Sequence, residues 1–303
     1  MAPPYWRICY VDGSDAPDLV ANGLDGYIVR TEDDKVVRKI PRISGRVLDD
    51  GQKEYTHPDE DHREDIEYEK RVYEQLAGLE GIAEVVGIDQ NGISTVYYSD
   101  GDLEDHILGH EEESPTPTAL MDSRRRLAAM VTNAVAECHN HGVLWFDVAL
   151  RNVLLDGESI RLCDFANSMI IEPDVDIAEF DEAGYTLRVE LLHLANLVYS
   201  IMTWTKFTDE CYEESEWPDT WPESDLEELN KIMRKAWRKE YNGAREIVLD
   251  LGEPDAARYR SVIRTNSVLA PQSMAHANPY GAQWVGALVS DDLVLSAVSL
   301  HET

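Results

Sequence analysis

Basic side chains are scarce. Against 59 Asp and Glu, the 303-residue chain carries only 27 Lys and Arg, a formal net charge of −32 at pH 7. A field of that sign repels nucleic acid and anionic membrane surfaces and argues against both as partners. Acidity also suits basic peptides, but a solvated, soluble surface is the plainer reading, so no specificity is built on the charge. Cysteine is sparse too. Cys9, Cys138, Cys163 and Cys211 stand far apart, with no C-x-x-C pair, so a reducing compartment is the simplest inference. No run of 18 uncharged apolar residues occurs, and "MAPPYWRICYVDG" lacks a charged segment followed by an apolar one. We therefore expect an intracellular, cytoplasmic, soluble protein. No internal repeat is visible.

What is present is ordinary globular material: 43% hydrophobic and 28% charged residues, in a chain long enough for one large domain or a pair of lobes. "GYIVRT" and "KVVRKI" flank the acidic turn "EDD" and predict a hairpin. The charged stretch "DDGQKEYTHPDEDHRED" has no periodicity and reads as a surface loop. "EDIEYEKRVYEQLAGL" sets Ile66, Val72, Tyr73 and Leu76 on one helical face, with Gly78 as a stop. "GIAEVVGI" and "GISTVYYS" read as strands. After "SDGDLEDHI" the pattern turns helical. "DSRRRLAAMVTNAVAECHNHGV" predicts a helix starting at a capping Asp or Ser and ending at Gly142. "NVLL" and "IRLCDF" follow as a hairpin around Asp156-Gly157. "VELLHLANLVYSIMTW", "LEELNKIMRKAW" and "NGAREIVLDL" predict further helices, with an acidic, tryptophan-rich connection before the last two. From about residue 255 the chain is rich in alanine and serine, without period.

Polar residues that interrupt apolar context carry the chemistry. In "LWFDVALRNVLL", Asp147 and Asn152 lie five residues apart in largely apolar surroundings, and Asp164 follows at the end of the next hairpin. Two acids and an amide oxygen on one helix-loop-hairpin unit can hold Mg²⁺, which takes oxygen ligands and reaches protein through one or two carboxylates plus substrate phosphates. A remaining carboxylate can orient a hydroxyl proton. This is the division of labour in phosphoryl transfer.

The spacing D-x-x-x-x-N at Asp147–Asn152, followed by Asp164-Phe165, resembles the catalytic loop and D-F-G segment of eukaryotic protein kinases. "DVALRN" is most similar to the tyrosine-kinase form of that loop, with Ala149 and Arg151 at the matching places. Upstream, "ANGLDGYIV" resembles the glycine-rich loop, with Ala21 for the first glycine and Gly23 and Gly26 kept, and "KVVRKIPR" puts Lys39 at the strand-lysine position. "EYEKRVYEQL" offers Glu69 as the partner of that lysine. "VELLHLANLVYSIMTW" resembles the central helix of the large lobe, with Glu190 for its aspartate and Ala195 for its glycine. "KIPR", "CDFANS" and "KAWRKEYNGAREIVLDL" are particularly similar to divergent kinase-domain proteins of filamentous fungi. The match covers roughly residues 15–253.

The resemblance implies an α+β, two-lobed fold, a small antiparallel β lobe (15–98) and a larger, mainly helical lobe (99–254), between an N-terminal extension (1–14) and a tail (255–303). It implies ATP and Mg²⁺ as cofactors. Asp147 becomes the base, Lys39 the contact to the α- and β-phosphates, Glu69 its orienting partner, Asn152 and Asp164 the Mg²⁺ ligands, and Arg151 a cation near the acceptor. Gly23, Gly26 and Ile28 would cover the nucleotide, Val96 and Tyr98 would form the hinge beside adenine, and Leu154 would lie beneath the ring.

Departures from the pattern carry their own expectations. Trp145-Phe146 replaces the usual His-Arg, so the brace on the D-F-G backbone is expected to be lost, along with control by a phosphorylated loop. Ala166 replaces the glycine of D-F-G. Glu190 is one methylene longer than the usual aspartate, so preorganisation of the catalytic loop is expected to suffer. The segment after Asp164 lacks A-P-E and is acidic in "EPDVDIAEFDEAGY", where a peptide would dock. Two functions stay open: an active protein kinase, and a pseudokinase that binds nucleotide or a protein partner. A small-molecule phosphotransferase of the aminoglycoside or choline type shares the fold, but its H-G-D-x-H-x-x-N loop has no counterpart here, since Val148 and Ala149 supply no second histidine.

Overall fold

The computed structural model describes residues 7–24, 26–47, 53–55, 60–109, 118–208, 217 and 220–252. Cys211, most of the acidic connection 209–225 and the tail 255–303 lie outside the described residues. The first half is mainly strand: β1 (Arg7–Ile8), β2 (Leu19–Asn22), β3 (Tyr27–Arg30), β4 (Val36–Ile40), β5 (Ser44–Val47) and β6 (Lys53–Tyr55), then helix α1 (Glu60–Gln75), then β7 (Val85–Asp89) and β8 (Gly92–Val96). Five of these strands form an antiparallel sheet in the order β2-β3-β4-β8-β7, and β1, β5 and β6 form a second, three-stranded one.

The predicted hairpin is β3–β4, with Ile28 opposite Lys39. Its turn is closed by side chains: the Lys35 N–H donates to Asp33 Oδ1 at 2.9 Å and the Thr31 hydroxyl to the Asp33 carbonyl at 2.9 Å, the local bonding that draws Asp and Thr to turns. Val29, Val37, Ile40 and Ile93 are buried and give the sheet its core face. Helix α1 buries Ile66, Val72 and Tyr73, with Leu76 buried just past its end, as the periodicity predicts, and Glu69 sits within the same stripe. Spacings of three and four residues put that carboxylate on the face turned to the protein.

Two expectations are corrected here. The charged stretch 49–65 is not all loop: Lys53–Tyr55 pairs with β5, held by Arg46 and Glu54 (Nε–Oε2 2.6 Å), and α1 begins at Glu60. A strand of three residues is too short to show a period, so only its cross-strand partners reveal it.

The second half supplies α2 (Leu103–Leu108), α3 (Thr118–Asn140), β9 (Val143–Leu144), a 3-10 turn (Leu150–Asn152), β10 (Val153–Asp156), β11 (Ser159–Leu162), β12 (Met169–Ile170), β13 (Asp181–Glu182), β14 (Tyr185–Thr186), α4 (Leu187–Thr203), α5 (Glu227–Trp237) and α6 (Ala244–Asp250). Here lies the second correction. Helix α3 starts at Thr118, so Asp122 and Ser123 do not cap it. Asp122 is inside the helix and pairs with Arg125 one turn on, at 3.0 Å, an i,i+3 contact that gives a mid-helix acid a partner. Helix α4 is buried on nearly every side and is the axis on which α3 and α5 pack. A single apolar cluster runs from Val72, Tyr73 and Ile93 through α3 and α4 to α6. A small antiparallel sheet joined to several helices is a mixed α/β architecture compatible with a kinase-like fold. No helix among the described residues is long and apolar enough to cross a membrane.

Candidate functional site

Lys39 lies near the end of β4, where the sheet faces α1. Its Nζ is 2.8 Å from Glu69 Oε2 and 2.6 Å from Asp164 Oδ1, so one ammonium links strand, helix and the segment after β11. Burial alone would lower the Lys39 pKa, but the Asp164 and Glu69 charges override it and hold the ammonium protonated. Glu69 shows the reverse balance: burial raises its pKa and Lys39 only partly restores it. For Asp164 burial also works against ionisation, yet Lys39, with Arg151 helping at longer range, brings the pKa below the ordinary value. The second Glu69 oxygen accepts the Phe165 N–H at 3.0 Å. Both faces of this carboxylate are thus used.

Two glycines let backbone approach this lysine. At Gly92 (φ +144°) a Cβ would lie 1.9 Å from the Lys39 carbonyl oxygen, so no side chain fits where β8 passes β4. At Gly26 a Cβ would lie 2.8 Å from the Ile40 carbonyl and 3.3 Å from Lys39 Cγ. The turn before β3 therefore rests directly against the lysine stem. It is closed by the Gly23 N–H donating to the Gly26 carbonyl at 3.0 Å, and Arg42 holds the Gly23 carbonyl from outside at 2.8 Å.

The second cluster lies between β9 and β10. Asn152 is buried and donates Nδ2 to the Asp147 carbonyl at 3.0 Å, which leaves its amide oxygen as the acceptor it can present. Arg151 Nη2 donates to Asp147 Oδ1 at 2.5 Å. The Cys163 N–H donates to the Asn152 carbonyl at 3.0 Å, tying this loop to the residue before Asp164.

Phe146 and Asp164 both adopt left-handed backbone, at φ +56° and +57°. Such residues each cost about 1–3 kcal/mol and persist where surrounding contacts over-determine them. The contacts are specific. The Trp145 indole N–H donates to the carbonyls of Cys163 (3.1 Å) and Asp164 (3.3 Å). Glu190 Oε2 accepts the Phe146 N–H at 2.9 Å, and its Oε1 is hydrogen-bonded to His139 Nε2 at 2.6 Å. Phe165 is fully buried between Tyr73 (ring centroids 5.2 Å) and Trp145 (6.2 Å).

These contacts overturn two expectations drawn from the departures. The brace on the Asp164 backbone is not lost, because an indole N–H reaches the carbonyls that a ring donor must reach. The longer Glu190 does not leave its loop loose, because the added methylene lets one carboxylate span from the Phe146 N–H to His139 on α3.

The remaining candidate positions group differently. Ile28 faces Lys39 across the β3–β4 ladder, while Val96 pairs with Val36 at the other end of β4. The chain after Tyr98 turns back onto β10: Asp102 bridges to Leu154 and the Leu155 N–H donates to the Gly101 carbonyl at 2.9 Å. Tyr98 buries its side chain, its hydroxyl accepting the Glu84 N–H at 3.0 Å. The acids of "EPDVDIAEFDE" are exposed.

Sequence reasoning missed Gly92, His139 and Tyr68, whose hydroxyl accepts the Ile170 N–H at 2.8 Å and pins the chain after Phe165. A glycine opening a strand and a histidine near a helix end were the available signals.

Among the described residues no group of three or more His, Cys, Asp and Glu is placed to hold a metal ion by itself. One carboxylate and one amide oxygen fit a hard cation that also takes phosphate oxygens. No family model matches the chain. A curated relative, testis-specific serine/threonine-protein kinase 5 of Mus musculus, is 38% identical over 66 residues, 22% of this chain. The matched stretch spans 18% of that protein's length. Fold and comparison together support a kinase-like relationship.

Proposed function

We propose that this chain is an ATP- and Mg²⁺-dependent protein kinase that transfers the γ-phosphate to a protein hydroxyl. The observation that carries the reading is the Lys39–Glu69–Asp164 triad: a buried carboxylate fixes an ammonium beside a second carboxylate that is about one-third exposed, at 2.8 and 2.6 Å. That arrangement suits a triphosphate, whose negative charge Lys39 meets while Asp164 and Asn152 would hold Mg²⁺. An ion held by Asp164 and Asn152 would supply charge neutralisation to the bound phosphates. Asp147 accepts the proton of the acceptor hydroxyl as its oxygen bonds to phosphorus and the bridging P–O bond to ADP breaks. Arg151, beside Asp147, meets the transferred group. Gly23, Gly26 and Ile28 cover the nucleotide, with the Val96–Tyr98 backbone and Leu154 toward adenine. The name of the partial relative supports a protein acceptor. Ala149 and Arg151 follow the tyrosine-kinase loop, so the proposal is a protein hydroxyl rather than one residue type.

One observation favours the pseudokinase alternative: the proposed base is already engaged by Arg151 at 2.5 Å. Two measurements separate the readings. Thermal shift with millimolar ATP, with and without Mg²⁺, is expected to show metal-dependent stabilisation; no shift removes both nucleotide-dependent readings. Radiolabel transfer to a generic protein substrate is expected to fall about 10²- to 10⁴-fold in Asp147→Asn. Equal counts from both forms would refute Asp147 as the base and leave the pseudokinase reading.

A further inference from the structure

Asp147 is presented by a turn that is strained at the residue before it. The Asp147 N–H donates to the Trp145 carbonyl at 2.7 Å and the Val148 N–H to the Phe146 carbonyl at 2.8 Å, two successive three-residue turns. The first is centred on Phe146 at φ +56°. A three-residue turn with a positive central φ is rare and strained, and a bulky residue there needs to be held. Its backbone is held by Glu190. Its ring meets Tyr185 edge-on, with centroids 5.2 Å apart and planes at 75°, the arrangement that aromatic quadrupoles prefer.

Tyr185 is itself rigidly presented. It lies in the β13–β14 hairpin, paired with Glu182, and the two turn residues Ala183 (φ +53°) and Gly184 (φ +89°) are both left-handed, as tight hairpins of matching twist require. Asp181 Oδ1 accepts the Gly184 N–H at 3.0 Å and closes the turn. The next residue, Thr186, caps α4, its hydroxyl accepting the Val189 N–H at 3.3 Å. One short segment, 185–190, therefore grips Phe146 twice: by a ring at its start and by the Glu190 carboxylate at its end.

We propose that Tyr185 is a positioning residue for Asp147: its ring is the second of two grips on the strained Phe146 turn, and it docks the acidic hairpin on the loop through an aromatic contact that needs no phosphate. The structural half stands on the contacts above. The consequence for transfer rests on the proposed kinase reading.

Hydrogen exchange on the full chain tests it. In Tyr185→Ala the amides of Phe146 and Asp147 are expected to exchange roughly 2- to 10-fold faster, the range for loss of one aromatic pair, while protection across Leu187–Thr203 is unchanged. Tyr185→Phe is expected to restore native exchange. Unchanged exchange in Tyr185→Ala would overturn the proposal. Should Tyr185→Ala loosen α4 as well, a double-mutant cycle of Phe146→Leu and Tyr185→Leu decides: non-additive effects on the Asp147 amide support the grip, additive ones refute it. In transfer assays Tyr185→Ala is expected to lower kcat with KM for ATP unchanged, and Tyr185→Phe to recover it; a rise in KM alone argues against positioning. Absence of transfer in the native chain retires the kinase reading, and exchange then still judges the grip.

Discussion

The two halves of the candidate site handle charge in different ways. Around Lys39 each buried charge has an opposite one within 3 Å, and the Glu69 and Trp145 contacts fasten the Asp164-Phe165 backbone from two directions. Around Asp147 the compensation is thinner. Its ion-pair partner Arg151 is half exposed, and the nearby α2 is capped by Asp102, a carboxylate buried to 1% exposure that no ion pair reaches among the described residues. The first half is built as a fixed socket. The second relies on backbone turns and rings, with one half-exposed ion pair. The contrast between this socket and the mouth around Asp147 can be tested by substitution on each side.

The largest effect is expected on the compensated side. Lys39→Met leaves Glu69 and Asp164 facing each other without a cation, and removal of one partner from a buried ionic cluster costs about 3–5 kcal/mol. Glu69 already has a raised pKa through burial, and losing Lys39 raises it further. The folded state of the variant then binds protons more tightly than the unfolded state, so its stability rises as pH falls. Tm is expected to drop sharply at pH 7.5 and to recover partly toward pH 5. A small, pH-independent loss would show that the triad is not the electrostatic unit described here.

At Asp102 a substitution is expected to stabilise instead. It accepts the Asp105 N–H at 2.9 Å as the N-cap of α2, and burial raises its pKa to about 6 against capping hydrogen bonds that pull it down. A carboxyl whose folded pKa lies above its unfolded value stabilises fully below the unfolded value, near 3.8, and loses that stabilisation as pH rises through about 6. Asp102→Asn keeps the capping oxygen and removes the charge. It is expected to stabilise the protein by about 3 kcal/mol at pH 7 and by less than about 1 kcal/mol at pH 4. Urea unfolding at both pH values checks this, and equal stabilisation at both would contradict it.

Trp145→Phe is smaller. A ring stays to pack on Phe165, while the N–H shared by two carbonyls and part of a fully buried indole are lost, a change of about 2–3 kcal/mol. The expected readout is faster exchange at the Phe165 and Ala166 amides and weaker Mg²⁺-dependent stabilisation by ATP, with α3 unaffected. Native exchange in the variant would return the brace to a packing role.

How much of this was legible in the sequence follows from the range of each interaction. Asp147, Asn152 and Asp164 stand at fixed local spacing on a turn and a hairpin, so pattern alone groups them, whereas Glu69 was reached by resemblance and only the structure sets it in the stripe of Ile66 and Tyr73. Lys39 could be singled out only by resemblance, since a strand lysine is otherwise an edge charge. Trp145 and Glu190 were visible as departures, yet the losses expected from them did not occur. Whether an indole or a longer carboxylate reaches its acceptor depends on three-dimensional distance, not on residue type. Gly92 and Lys53–Tyr55 were invisible for the same reason: a β8 glycine matters because the Lys39 carbonyl passes it, and a three-residue strand exists because β5 does.

The smallest structural effect is expected at Arg151, where the two sides separate most cleanly. Its ion pair with Asp147 lies across one helical turn of sequence, with the guanidinium side chain 52% exposed. Exposed pairs of this kind contribute about 0–1 kcal/mol, less at high salt. Arg151→Gln is therefore expected to change Tm by no more than about 2–4 °C, in a chain of this size, and to leave stabilisation by ATP at the Lys39 side intact. Transfer is expected to respond instead, falling about 10-fold or more if Arg151 meets the transferred group. If its main effect is to occupy the base, transfer rises, and the pseudokinase alternative gains a physical cause. An Arg151→Gln chain that loses nucleotide stabilisation as severely as Lys39→Met would erase the distinction between socket and mouth, because an exposed cation on the acceptor side would then be holding the nucleotide itself.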